Sequence, residues 1–206
     1  MSVVLIGSNP GLLLYRDERP VAFASVWSVD WSRWGGGSVI IVATESGWLT
    51  AADDEHFARI LLDRFTRHLP EAEEFAWDTR VHHVGGTPRI ELDPAKGLRA
   101  TAPGIAVEIS EVLDRRHFVD PAFRLGPSAV GLSNVYLPCA QGSLSLDGEV
   151  MVAEPNVAAQ ADPPSSTAYL ALAEVWVDTT GALGLPTMPR SESERKRHLR
   201  SLRPSL

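Results

Sequence analysis

Cysteine is almost missing from this chain: Cys139 stands alone, so no internal disulfide can form. The fold must hold by packing, and the single cysteine fits a reducing compartment or an unconstrained one. Its first residues, Met-Ser-Val-Val-Leu-Ile-Gly-Ser-Asn-Pro, carry no basic cluster, and their apolar run covers only Val3 to Ile6, too short for a secretory leader. No stretch approaches the roughly eighteen apolar residues that a membrane helix needs. No Asn-x-Ser/Thr acceptor occurs at Asn9, Asn134 or Asn156. A soluble, cytoplasmic protein is expected.

Several chemical motifs are missing too. There is no Gly-x-x-x-x-Gly-Lys-Ser/Thr loop and no Gly-x-Gly-x-x-Gly after a strand, which excludes the usual phosphate cradles. No Cys-x-x-Cys or His-Glu-x-x-His is present, and His82 beside His83 on a strand would point to opposite faces. No metal and no cofactor is expected on these grounds. Gly131-Leu132-Ser133-Asn134-Val135 lacks the second glycine of a serine-hydrolase elbow. Cys139, in Tyr-Leu-Pro-Cys-Ala, has no neighbour to activate it and reads as a buried, inert thiol.

What is present is an ordinary globular composition, 44% hydrophobic and 22% charged over 206 residues. Such a chain can bury roughly 70% of its unfolded surface. Charge is unevenly placed. From Arg190 onward six basic residues face two glutamates, a balance of +4, which leaves −11 on the rest of a chain whose formal net charge is −7. An acidic body repels phosphate backbones, so no nucleic-acid partner is expected, and no membrane either.

The pattern predicts an α+β domain over 1–189 and a basic, flexible tail over 190–206. Strand-like runs cover Leu12–Arg16, Val21–Val29 and Ser38–Thr44, with Gly35-Gly36-Gly37 at a loop tip. One long helix follows over about 53–68, because Phe57, Ile60, Leu61, Phe65 and Leu69 recur at three- and four-residue spacing. Thr50 or Asp53 can cap it, and Pro70 ends it. Short strands are expected at 75–77, 80–84 and 89–92. Ile105, Val107 and Ile109 alternate like a strand, whereas Ile105, Ile109, Val112 and Leu113 also fit a helix; a strand to Ile109 and then a short second helix over about 110–118 is expected. Asp147-Gly148 supplies the turn of a hairpin over Leu144–Val152. A patternless loop at 155–166 precedes a strong strand, Ala168–Val177. Mainly antiparallel strands with one long helix imply a strongly bent sheet or a partly open barrel. The order strand, hairpin, strand, helix is similar in outline to the flavin-binding split barrels. The likeness is one of strand order alone: Glu45–Glu55 holds four carboxylates and no Arg or Lys where such proteins place basic residues for the flavin phosphate.

Two groups of residues are candidates for a site. Trp27, Trp31 and Trp34 fall within eight positions; if the strand continues, Trp27 and Trp31 share a face, and the three could wall a ligand pocket beside the glycine loop. Tryptophan is largely buried wherever it occurs, so they could equally pack the core. His117 among Asp114, Arg115 and Arg116 could serve as a general acid–base, and Tyr136, flanked by Asn134 and Pro138, could donate into a pocket or simply be buried with its hydroxyl satisfied. A solvated, ion-paired face is the plainer reading of that charged segment. Two functions follow. One is a small-molecule enzyme of acid–base type (isomerase, cyclase, dehydratase or hydrolase) without metal or nucleotide cofactor; the other is a non-catalytic small-molecule-binding or assembly protein, with room for a homo-oligomer.

Overall fold

The computed structural model describes residues 1–73, 75, 80–179 and 181. The tail expected at 190–206 lies outside them. Strands β1 (Ser2–Ser8), β2 (Gly11–Arg16), β3 (Arg19–Ser32), β4 (Gly37–Thr44) and β5 (Gly47–Ala51) come first. Helix α1 (Glu55–Arg64) follows, continued by a 3-10 turn at Thr66–His68 and another at Pro70–Ala72. Then come β6 (Val81–Val84), β7 (Arg89–Asp93), β8 (Gly97–Ala102), β9 (Ile105–Val112), β10 (Arg116–Leu125) and β11 (Ser128–Leu146). Four two-residue strands, β12 to β15, lie between 149 and 166, and β16 (Ala168–Asp178) is the last.

One curved sheet takes nearly all of them, in the order β6-β5-β4-β3-β1-β16-β11-β9-β8-β7. Neighbours are antiparallel except β5 and β6, whose parallel pairing requires the crossover that α1 provides. Strand β11 makes the bend. Its residues up to Pro138 pair with β16, and from Cys139 onward it pairs with β9. The far half of the sheet thereby folds over one face of the near half. The two end strands, β6 and β7, are linked by residues 85–88 but do not pair, so the sheet is not a closed barrel.

Both faces of the near half are therefore covered, and its strands read as continuous apolar runs. In β3 and β4, Phe23, Trp27, Val39 and Ile41 enter a core beneath α1, with Phe57, Leu61, Phe65 and Trp176. Ala22, Ala24, Val26, Ile40 and Val42 enter a second core against Leu98, Val107 and Leu144. Edge-to-face contacts tie Phe65 to Trp27 at 5.7 Å and to Trp176 at 5.3 Å between ring centroids.

Several local expectations change. The helix is capped by Asp54, whose Oδ1 accepts from Phe57 N–H at 3.0 Å; Thr50 and Asp53 do not cap it. Thr50 lies in β5, where its hydroxyl meets His83 Nδ1 at 3.1 Å. Phe75 sits in a bend, and the rest of the strand expected at 75–77 lies outside the described residues. The short second helix over 110–118 does not form. Its residues continue β9 and open β10, because β11 offers them a ladder on each side of the break at 113–115. The loop at 155–166 is pinned by the short pair β14 (Val157–Ala158) and β15 (Ser165–Ser166). The Asp147-Gly148 turn stands as expected, with φ of 51° and 85°.

Candidate functional site

A bulge in β16 creates the site. Ser133 pairs with Val175 and Val135 with Leu172, so the single residue Asn134 of β11 faces two residues of β16, Ala173 and Glu174. The surplus residue is Ala173, held at φ 50°. A bulge resets the two-residue alternation, and here it keeps Tyr169, Ala171, Glu174 and Trp176 on one face. Without it, Glu174 and Trp176 would turn outward. With it, a glutamate that is 3% exposed sits on the helix-covered face of the sheet.

Glu174 is held by neutral donors. Asn134 Nδ2 donates to its Oε1 at 3.2 Å, and Trp176 Nε1 donates to its Oε2 at 2.9 Å. Burial pushes the carboxyl up to about 8, against the partial pull of those two donors, and the nearby Glu71 charge adds to the rise. At neutral pH the group therefore holds its proton most of the time. Asn134 is 8% exposed, and its Oδ1 has no hydrogen-bond partner among the described residues.

Glu71 reaches the cluster from the 3-10 turn at Pro70–Ala72. The residue is half-buried; its carboxyl is the buried end, raised above the ordinary value by desolvation, with the nearby Tyr169 hydroxyl pulling it partly back. Tyr169 lies flat over β2, where a Cβ on Gly11 would stand 2.4 Å from the ring's Cζ, so only glycine fits there. Its ring tilts against Tyr136 with centroids 5.4 Å apart. Tyr136 donates to Ser166 O at 3.2 Å, and burial raises its hydroxyl to about 12. The Arg116 guanidinium covers the Tyr136 ring at 5.1 Å while bonding Asp114 at 2.8 Å and Pro164 O at 2.9 Å. Tyr136, Arg116 and Glu71 are half-exposed, so the cluster meets solvent on that side.

The expected residues separate into three places. Tyr136 belongs to the cluster, and Asp114 touches it only through Arg116. His117 does not: it is exposed, pairs with Val135 in the ladder, and faces away from Tyr136 by strand alternation. Trp27 is no pocket wall. It is fully buried and donates to Thr66 Oγ1 at 3.0 Å. Trp34 lies at the rim of the same core, edge-on to Phe65 at 5.8 Å and covered by Arg33 and Arg64. Trp31 does not share the Trp27 face, because a bulge between Val29 and Trp31 turns it to the other side, 49% exposed. A shallow depression at the start of α1, lined by Asp53, Asp54, Glu55, His56 and Arg59, includes none of these residues. Cys139 is buried, its thiol pushed up to about 11 by desolvation.

Glu71, Asn134, Tyr169, Glu174 and Trp176 do not stand out in the sequence. The one available signal was Glu174, a lone carboxylate inside the apolar run Ala168–Val177. No membrane-length apolar helix and no group of three or more potential metal ligands occurs among the described residues. Comparison with protein-family models, with curated proteins and with solved structures gives no match for this chain.

Proposed function

We propose that the protein is a small-molecule enzyme of acid–base type whose working groups are Glu174, Glu71 and Tyr169. One observation carries this reading: the Ala173 bulge spends backbone strain to turn a carboxyl group into the interior. An inward-facing valine or alanine would pack there at no desolvation cost, so a glutamate in that position needs another reason. A carboxyl near 8 can give up a proton and take it back at neutral pH, as a general acid and base must. Asn134 and Trp176 orient it, and the half-exposed Tyr136 side is where a small organic substrate would approach. Isomerase, dehydratase or cyclase chemistry fits such a set.

The test is incubation of the purified protein with a metabolite extract in deuterium oxide, followed by mass spectrometry. A metabolite that gains one deuterium or loses water with the wild type, and stays unchanged with Glu174→Gln, supports the reading. Identical spectra for both proteins, each fully folded, leave Glu174 as a purely structural group.

A second reading rests on the opposite face of the same strands. Trp31, Ile6, Val175, Ser133 and Val119 are direct cross-strand partners in one row over β3, β1, β16, β11 and β10. Trp31 and Val119 are 49% and 72% exposed. The row is uncharged and ends at β10, whose outer edge has no partner among the described residues. A second copy of the chain fits it best, because a twofold axis would present the same row and the same edge from both sides. Sedimentation of wild type and Trp31→Glu tests this: a dimer that the substitution dissociates supports assembly, and a monomeric wild type removes it.

A further inference from the structure

Among the described residues the carboxylates of the cluster have no cation beside them. The ion pairs of the described residues join Arg67 to Asp63, Arg89 to Glu91, Lys96 to Asp93, Arg99 to Glu108 and Arg116 to Asp114; none includes Glu71 or Glu174. Among the described residues Glu174 is met by the neutral donors of Asn134 and Trp176, and the Tyr169 hydroxyl lies close enough to Glu71 to favour its ionised form. Arg116, the basic group nearest in the chain of contacts, is held at the Tyr136 face by Asp114 and Pro164 O. Glu71 is the one other charge that acts on Glu174. Two acids thus share an aromatic surrounding of Tyr136, Tyr169 and Trp176 with no positive partner among the described residues.

A second observation points to what is missing. Asn134 is more than nine-tenths buried and already gives its amide N–H to Glu174, while its Oδ1 accepts nothing from the described residues. A buried acceptor without a donor costs free energy that a ligand's N–H would recover. Glu71, Glu174 and the Asn134 carbonyl make three acceptors. A primary ammonium has three N–H donors on one cationic head, and aromatic faces favour such a head over a strongly hydrated metal ion.

We propose that this cluster binds the head of a primary organic ammonium, with Glu71, Glu174 and Asn134 Oδ1 accepting its three N–H groups and Tyr136 and Tyr169 flanking the alkyl stem. The inference deepens the proposed function and rests on its claim that the cluster is a ligand site. The proton balance is simple. At neutral pH Glu174 is protonated; the arriving cation ionises it, and its proton leaves to the buffer.

The experiment is calorimetric titration of the full chain with n-butylammonium chloride, with n-butanol and calcium chloride as parallel probes. Butylammonium alone should bind. Since Glu174 titrates near 8, its ionised fraction, and hence the apparent affinity, should rise about tenfold from pH 7 to pH 9. Titration at pH 7 in phosphate and in MOPS, neither of which is a primary amine, should show proton release. Glu174→Gln and Asn134→Ala should each weaken binding at least tenfold with circular dichroism unchanged; should one fail to fold, the other decides. Equal binding of n-butanol, tighter binding of calcium, or no binding of butylammonium overturns the inference. If butylammonium fails while deuterium incorporation still depends on Glu174, only the ammonium assignment is lost. If both fail, the cluster is structural.

Discussion

Asn134 and Glu174 form a hydrogen bond between neighbouring strands at 3.2 Å in which the amide gives its N–H and leaves its own oxygen unused. The pair predicts how stability varies with pH. The folded-state pKa of Glu174, about 8, lies above its ordinary 4.5, so folding favours the protonated acid. That contribution is fully present below about 4.5 and is lost as pH rises through about 8. In Glu174→Gln the side chain stays neutral and accepts from Trp176, and rotation of the Asn134 amide lets its NH2 donate to the unused Asn134 oxygen. The variant should match wild type within about 1 kcal/mol at pH 5 and exceed it by on the order of 3 kcal/mol at pH 8. Urea unfolding at pH 5, 7 and 8 measures this, and parallel profiles would refute it.

The two tryptophans of β3 should differ in a way their spacing hides. Trp27 fills the core and bonds Thr66, so Trp27→Ala should cost about 3–5 kcal/mol. Trp31, turned outward by the bulge, should cost about 0.5 kcal/mol or less in a monomer. Guanidinium unfolding of both variants checks the assignment. Comparable losses would mean that Trp31 is packed as well as Trp27.

The near half of the fold was legible because its periodicities are strong. Phe57, Leu61 and Phe65 repeat as a helix must, and Ser38–Thr44 and Ala168–Val177 are apolar enough to be strands in any setting. β11 was not legible beyond its last residues, since Pro138, Gly131, Gly142 and scattered polar residues blur its alternation over nineteen positions. The helix expected at 110–118 failed for a related reason. Ile105, Ile109, Val112 and Leu113 satisfy both periods, and only the partner strand β11 decides between them. Of the residues singled out, Tyr136 lies in the cluster, whereas Trp31 was put on the wrong face of β3 and Glu174 was passed over. A bulge adds one residue to a ladder and leaves no trace in composition, yet it reverses every side chain beyond it.

Cys139 is predicted to be unreactive in the native state. It is buried with its thiol raised to about 11, so at pH 8 only about one molecule in a thousand carries a thiolate. Iodoacetamide should leave the native protein unmodified for hours and alkylate it within minutes in urea. Rapid native labelling would place Cys139 in an opening segment of the sheet.

The last prediction concerns Ala173, on which the site depends. A residue with a Cβ at φ 50° pays roughly 1–2 kcal/mol for the left-handed conformation. Glycine removes that cost but loosens the unfolded chain by about 0.4–1 kcal/mol, so Ala173→Gly should stabilise the protein modestly, by about 0.5–1 kcal/mol. Valine carries a branched Cβ that suits this region worst, and Ala173→Val should destabilise it by at least about 1 kcal/mol. The glycine variant must keep the bulge, because the register on both sides of it is fixed by Ser133–Val175 and Val135–Leu172. It should therefore keep the pH profile assigned to Glu174. Deleting Ala173 is the sharper change: the alternation slips by one, Glu174 and Trp176 turn outward, and the core loses the indole that meets Phe65. That variant should fail to fold. If glycine and valine at position 173 give equal stabilities by urea unfolding, the positive φ is not what holds the bulge, and the inward turn of Glu174 must come from its bonds to Asn134 and Trp176 instead.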